Sequence, residues 1–247
     1  MSKEAIILGG NSGVGRALAE RLAQEGYSLV LTARDSRDLQ AVCSHLNLSY
    51  GTRCAYIVAD LSRVDFQAEA YLLECEQVLS HVQALFVCTG SIHPDEDGLS
   101  HLNLVDDLLA VNFTNLAKVI SCTVKRFELR DSGTIVVFSS IATGRPRKRN
   151  VVYTAAKMAL QSYCRSLQHT LARTSVHIQI YVLGYVDTAM SDGQKLLFPV
   201  ASPQALAARV VRNLPSKVRT RYFPRYWWAI VTCLRALPWW VFKRLSF

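Results

Sequence analysis

Tyr153 and Lys157 stand four residues apart in Val151-Val152-Tyr153-Thr154-Ala155-Ala156-Lys157. On a helix that spacing points the phenol and the ammonium the same way. A phenol at its ordinary pKa of about 10 exchanges protons poorly near neutrality. A fixed cation beside it stabilises the phenolate and lowers that pKa, which suits the phenol to general acid–base work. Thirteen residues before Tyr153, Ser140 ends the apolar run Ile135-Val136-Val137-Phe138-Ser139, and its hydroxyl can hold a substrate oxygen. Asn112, in Ala110-Val111-Asn112-Phe113, falls in the long helical stretch before that. A tyrosine and a lysine at this spacing are by themselves usually a plain surface pair. Their order behind Asn112, Ser140 and a glycine-rich turn is what sets them apart from such a pair.

That turn is Leu8-Gly9-Gly10-Asn11-Ser12-Gly13-Val14-Gly15. It follows a β-branched run and opens a helical one, the context in which bare backbone N–H groups and a helix N-terminus can hold a pyrophosphate. The next strand ends Thr32-Ala33-Arg34. Ala33 stands where a carboxylate would bind the ribose hydroxyls of NAD, and Arg34 can pair with the 2′-phosphate of NADP, so NADP(H) is preferred and NAD(H) is second. The third strand ends Ala59-Asp60-Leu61. Two roles stay open for Asp60: accepting from the adenine amino group, or capping a helix.

The elements that must position these groups alternate. Strands are expected at Ala5–Gly9, Ser28–Ala33, Cys54–Ala59, Ala84–Cys88, Gly133–Ser139, His177–Leu183 and, more weakly patterned, Val218–Phe223. Helices are expected near 14–26, 36–46, 63–80, 101–129, 151–174 and 202–213. Such alternation implies crossover units, a parallel sheet of about seven strands and a doubly wound α/β fold. The chain of 247 residues, half of them hydrophobic, suits one such domain. Residues 1–224 are read as that domain and 225–247 as a basic, tryptophan-rich tail. The seven scattered cysteines form no CxxC pair and no ligand-spaced cluster, which speaks for reduced thiols, a cytoplasmic setting and no metal. The opening Met1-Ser2-Lys3-Glu4 carries no secretory leader pattern.

These residues together resemble the short-chain dehydrogenase/reductase superfamily over about residues 4–213. Its glycine turn is matched by Leu8-Gly9 through Gly15, and its Asn–Ser–Tyr–Lys tetrad by Asn112, Ser140, Tyr153 and Lys157. The resemblance implies a single Rossmann domain and a proton given to the carbonyl oxygen by Tyr153. It implies that Lys157 lowers the pKa of Tyr153 and binds the nicotinamide ribose. Ser140 would polarise the substrate oxygen, and Asn112 would support a proton-relay water. Gly9, Asn11, Ser12, Gly13, Val14, Gly15, Arg34, Asp60, Leu61, Gly90, Gly184, Val186 and Thr188 would join Asn112, Tyr153 and Lys157 around the cofactor. Three departures touch fine cofactor geometry: Leu8 for threonine, Val87-Cys88-Thr89-Gly90 for Asn-Asn-Ala-Gly, and Leu183-Gly184 for Pro-Gly.

Charge separates the chain's two parts. The net +9 divides into −1 over residues 1–192 and +10 over the last 55, because every acid lies at or before Asp192. That segment calls for an anionic partner or surface. Arg145-Pro146-Arg147-Lys148-Arg149 adds four cations between Ser140 and Tyr153, either an anion-binding mouth or a solvated loop. The tail holds all four tryptophans, at 227, 228, 239 and 240, in two short apolar runs split by Pro238. Both runs are shorter than the roughly 18–20 residues of a membrane span. The pattern fits a segment lying in a headgroup zone on the inner face of a membrane, or else a dimer interface or a helix packed on the core. No nucleic-acid recognition motif accompanies the charge. Within the family, the glycine turn, the basic loop and the tail are most similar to the branch that reduces polyprenyl-phosphate-linked keto sugars, which implies a lipid-linked carbonyl substrate. Two other readings stand beside it: a reductase of a 3-keto sphingoid base or acyl chain, and a non-catalytic NADP-binding regulatory protein. The family resemblance also implies a homo-oligomer, which the tail can block.

Overall fold

The computed structural model describes residues 3–93, 96, 102, 104–189 and 198–245. Seven strands form one parallel sheet: β1 (Lys3–Leu8), β2 (Tyr27–Ala33), β3 (Cys54–Val58), β4 (Ala84–Val87), β5 (Gly133–Ser140), β6 (Val176–Leu183) and β7 (Thr220–Phe223). Their spatial order is β3-β2-β1-β4-β5-β6-β7. The chain winds outward from β1 to β3, crosses back to β4 and winds outward again. The reversal leaves a crevice beyond the carboxyl ends of β1 and β4, where open α/β sheets bind ligands.

Both faces of the sheet are covered, so the inner strands read as unbroken apolar runs rather than alternating ones. Ile6 and Leu8 join Leu85 and Val87 in one core, while Ala5, Ile7 and Phe86 join a second on the opposite face. The first face is covered by α3 (Ala68–Val78), α5 (Asn115–Leu129) and α6 (Val151–Thr170). The second is covered by α1 (Gly13–Gln24), α2 (Ser36–Tyr50) and α7 (Pro203–Arg212). Local signals set the ends. Ser12 caps α1 by accepting from Gly15 N–H, Asp35 caps α2, and Ser202 with Pro203 starts α7.

Four expected helices differ in extent: α2 runs on past 46 to Tyr50, α6 stops at Thr170 rather than 174, and the other two are shortened or broken up. The stretch 63–80 is helical only from Ala68, because Asp60 and Asp65 tie down the preceding turn through Ser62 and Arg63. The stretch 101–129 is α4 (Leu104–Leu109), a π-helical turn over Ala110–Thr114, and α5. His101 and Asn103 lie outside the described residues. Past β7, α8 (Trp227–Ala236) and α9 (Trp239–Phe242) flank Pro238. Their inner residues Trp227, Val231 and Phe242 are buried. Among the described residues no helix is long and apolar enough to cross a membrane.

Candidate active site

The glycine turn closes on itself through contacts that only hydrogen allows. Gly9 adopts a left-handed φ of +80°, and its N–H donates to the Thr32 carbonyl at 2.7 Å. A Cβ on Gly15 would fall 2.0 Å from the Gly9 carbonyl oxygen, and one on Gly13 would fall 2.8 Å from the Thr188 methyl. Thr188, from the segment after β6, is thereby held against the start of α1. The Ser12 hydroxyl donates to the Gly9 carbonyl at 2.8 Å and accepts from Gly15 N–H at 3.0 Å.

A cleft of about 370 Å³ runs along this turn. Gly9, Asn11 and Ser12 line its middle, with Arg34, Asp60 and Leu61 toward β2 and β3, and Gly90 toward the tetrad. Arg34 is exposed, and its side chain makes no hydrogen bond or ion pair among the described residues. Asp60 accepts from the Ser62 N–H at 3.0 Å and the Ser62 hydroxyl at 2.7 Å. Burial would raise its pKa, but those two bonds, with Arg34 and Arg63 nearby, hold it below the ordinary value. It thus stays an anion whose local partner is a turn rather than a helix N-terminus.

The tetrad assembles around Gly90. A Cβ there would fall 3.0 Å from Lys157 Nζ and 3.4 Å from Asn112 Oδ1. Lys157 is buried and donates to the Thr89 carbonyl at 3.0 Å. Its Nζ lies 5.9 Å from the centre of the Tyr153 ring. Burial pulls its pKa down to about 8, with Cys88 and Cys164 acting the other way. Burial pushes the Tyr153 phenol up, and its hydrogen bond with Ser140 pulls it back. The serine thus counters burial at the phenol. The Ser140 hydroxyl also accepts from Ala142 N–H at 3.1 Å.

The Asn112 side chain is fully buried: Oδ1 accepts from Ser91 N–H at 3.1 Å, and Nδ2 donates to the Ser91 and Leu108 carbonyls at 2.8 and 3.0 Å. It pins the loop after β4 to the π-helical turn. The start of α6 holds a residue the sequence did not reveal. Asn150 sits in a left-handed conformation and makes no side-chain cap. The buried Glu96 carboxylate instead accepts from Val152 N–H at 3.0 Å and Tyr153 N–H at 3.4 Å. A carboxylate at a helix N-terminus is favoured by the helix dipole and fixes the turn that carries the phenol. No local signal announces it, since the partners are 56 and 57 residues apart.

The basic loop divides. Arg145 is not available to an anion: its guanidinium donates to the Leu234 carbonyl at 2.7 Å, also bonds the Arg235 and Leu237 carbonyls, and lies 4.2 Å from the Phe242 ring centre. It caps the C-terminal end of α8. Arg147 is half-buried, and Lys148 and Arg149 are exposed. After β6, the Trp227 indole rests on Gly184, where a Cβ would fall 1.8 Å from Nε1. Tyr185 and Phe198 pack edge-on against the same indole at 5.2 and 5.0 Å. Val186 is buried beyond them.

A crevice at the reversal of a parallel sheet, a closed glycine turn and a phenol beside a buried amine define a Rossmann-type enzyme site. The chain belongs to the short-chain dehydrogenase family, whose description as "short chain dehydrogenase" is matched by residues 3–196. An uncharacterized oxidoreductase of Staphylococcus epidermidis is 29% identical, covering 77% of this chain and 81% of its own length. The very-long-chain 3-oxoacyl-CoA reductase-A of Danio rerio is 24% identical over 96% of this chain and 75% of its own. An inactive hydroxysteroid dehydrogenase-like protein 1 of Pongo abelii is 27% identical over 87% of this chain and 67% of its own. Among solved structures, a short-chain dehydrogenase from Sphingobium yanoikuyae in complex with NADPH superposes with a TM-score of 0.81. It is 21% identical, with 99% of this chain and 96% of that one covered. A single-substitution variant of actinorhodin polyketide ketoreductase with NADPH gives a TM-score of 0.80 at 20% identity, with 92% of this chain and 97% of that one covered. Both structural likenesses bear on the fold.

Proposed function

We propose that this oxidoreductase is an NADP(H)-preferring reductase of an anionic, lipid-linked ketone, working at a membrane surface. The observation that carries the reaction class is the grouping of Lys157 and Asn112 against Gly90, with Ser140 hydrogen-bonded to the Tyr153 phenol. The residues present fit a dinucleotide. The glycine turn leaves no room for side chains, the cleft ends at an unpaired Arg34, and the buried Thr89 hydroxyl in its wall has no partner among the described residues. Gly9, Asn11, Ser12 and the N-terminus formed by Gly13, Val14 and Gly15 would hold the pyrophosphate. Asp60 and Leu61 would flank the adenine, Arg34 the 2′-phosphate, and Gly90, Lys157, Gly184, Val186 and Thr188 the nicotinamide end. The preference for NADP draws on Arg34 and on the NADPH found with the two structural neighbours.

When bound, the reduced dinucleotide supplies a hydride to the carbonyl carbon. Tyr153 gives its hydroxyl proton to the carbonyl oxygen, so that ketone, hydride and proton become a secondary alcohol. Ser140 donates to the same oxygen and polarises it. Lys157, charged near neutrality, stabilises the phenolate left behind. Asn112 and Glu96 hold the loop and helix that carry these groups.

The substrate class rests on the cations left in the loop and on the tail. In our reading the glycine turn, loop and tail together are most similar to decaprenylphosphoryl-2-keto-ribose reductase. A polyprenyl-phosphate keto sugar would bring a phosphate to Arg147, Lys148 and Arg149 and a prenyl tail to the exposed indoles. The similarity to a 3-oxoacyl-CoA reductase over nearly the whole chain favours a second reading, a ketone on a fatty acyl chain. A non-catalytic role would leave the tetrad without a purpose.

Purified protein is expected to oxidise NADPH faster than NADH against a panel of lipid-linked ketones, and Tyr153→Phe to lower that rate by about 10²–10⁴-fold while NADPH binding persists. Turnover by Tyr153→Phe at the wild-type rate would end the catalytic assignment.

A further inference from the structure

A second concavity, about 1000 Å³, lies at the far edge of the sheet, between α7, β7 and the start of α8. Arg209 and Arg212 line it from α7, Arg221 from β7 and Arg225 from the turn before α8, with Tyr181 at its floor and Trp228 at its rim. Arg221 is engaged: it donates to the Val218 carbonyl at 2.8 Å and the Ser216 hydroxyl at 2.6 Å, and lies over the Tyr181 ring at 5.8 Å. Arg209, Arg212 and Arg225 have no side-chain hydrogen bond or ion pair among the described residues, and the sequence offers no acidic side chain after Asp192. The cofactor cleft lies toward β2, β3 and β4, so these charges do not serve the dinucleotide.

We propose that this groove docks the protein on an anionic phospholipid surface. The arginines would take headgroup phosphates, and the indoles of Trp228, Trp239 and Trp240 would enter the interface. Three observations choose this occupant. The tryptophans are 62%, 68% and 60% exposed, a costly placement in water and a favoured one at a headgroup boundary. The helices that carry them are fixed from beneath by buried Trp227, Val231 and Phe242, and by Arg145 on the end of α8, so the indoles are presented rather than trailing. A second copy would meet the groove across a two-fold axis, which sets the arginines against themselves. A free phosphate accounts for the cations and not for the exposed Trp228 indole at the groove's rim. The inference extends the reading of a lipid-linked substrate, but flotation requires no turnover, so the two fail separately.

The test is flotation of the full chain with vesicles of phosphatidylcholine alone or mixed with phosphatidylglycerol. Wild type is expected to float with the mixed vesicles and stay behind with the neutral ones. Arg212 and Arg225 are exposed and carry no side-chain partner among the described residues, so the double variant R212E/R225E should keep its thermal unfolding midpoint. Its vesicle affinity should fall by more than about 25-fold, at about fivefold for each lost cation before reversal is counted. Trp228→Ala should weaken binding without changing its dependence on phosphatidylglycerol. The inference is overturned by equal flotation on neutral vesicles, or by a double variant that floats like wild type. Release of the bound protein by inorganic pyrophosphate at constant ionic strength would overturn it in favour of a free-anion site. Self-association of wild type lost in R212E/R225E would overturn it in favour of a second copy.

Discussion

Over the first 130 residues most arginines pair with carboxylates: Arg16 with Asp38, Arg21 with Glu25, Arg37 with Asp35, Arg63 with Asp65, and Arg126 with Glu69 and Glu76. Beyond β5 the arginines that are engaged take neutral oxygens instead. Arg145 bonds three carbonyls of α8 and the turn after it, Arg235 bonds the Gly144 carbonyl at 3.0 Å, and Arg221 bonds a carbonyl and a hydroxyl. A carbonyl orients a guanidinium without cancelling its charge. The nucleotide side is therefore close to neutral and its field short-ranged, and the C-terminal side projects its charge outward. The two sides meet where Trp227 lies on Gly184 and Val231 lies on Gly144. If the contrast is functional, that joint must transmit order from the tail to the catalytic loops.

The joint is therefore the most sensitive place to cut. Gly184→Ala would push a methyl into the Trp227 indole, with the nearest atom at 1.8 Å. Overpacking of this kind costs about 1–3 kcal/mol, and the thermal midpoint should fall accordingly. NADPH turnover should fall with it, because Gly184 leads into Val186 and Thr188. A G184A protein that melts and turns over like wild type would mean that the indole does not press on that loop.

Lys157 offers a second way to sharpen the comparison, since it is a buried cation at the cofactor cleft with no carboxylate partner among the described residues. Its folded pKa lies near 8, below the ordinary value of 10.5. Below pH 8 both folded and unfolded chains hold the proton, and burial of the charge costs stability. Between about 8 and 10.5 the folded chain has released a proton that the unfolded chain keeps, so the contribution of Lys157 to stability rises with pH across that window. One proton sets a ceiling of about 1.4 kcal/mol per pH unit on that contribution. Burial holds the Cys75, Cys88 and Cys164 thiols above their ordinary range and acts the other way as the unfolded thiols ionise, so the difference from Lys157→Met isolates the ammonium. In chemical denaturation of the cofactor-free protein, wild type should gain stability relative to Lys157→Met as pH rises through the window. A difference that does not change with pH would place the ammonium in water.

How much of this could be read in advance follows from range. The glycine turn, the Tyr153–Lys157 spacing and the strand ends are local patterns, and the carboxyl end of each strand lies within one residue of where the sequence placed it. The parallel sheet was legible because strands covered on both faces, such as Ile135–Phe138, have no polar side. Glu96 on α6, Trp227 on Gly184 and Arg145 on α8 join residues 43 or more positions apart, and nothing near any of them marks its partner. The tail shows the limit most clearly. Trp227 and Trp228 are adjacent and alike in sequence, yet one is buried and the other exposed, because successive helical residues point about 100° apart and only one can face the core.

Arg34 is where the two halves can be compared directly, because it is an exposed, unpaired arginine like those of the far groove, set in the mostly paired half. Asp60 interacts with it through space and without a hydrogen bond. A phosphate at the end of β2 would meet a cation already available, with Ala33 offering nothing to a bare ribose. Removing the guanidinium forfeits a charge-assisted bond of about 1.5 kcal/mol at an exposed site, roughly tenfold. Arg34→Ala should thus raise the KM for NADPH about tenfold, leave the KM for NADH and both kcat values near wild type, and make the NADPH effect shrink as salt is added. Flotation on anionic vesicles should not change, since Arg34 lies at the opposite end of the sheet from the far groove. If Arg34→Ala raised both KM values equally, the arginine would be shaping the cleft rather than reading a phosphate. The cofactor preference would then have to rest on another residue of that half, with Arg16 beside Asp38 the next to test.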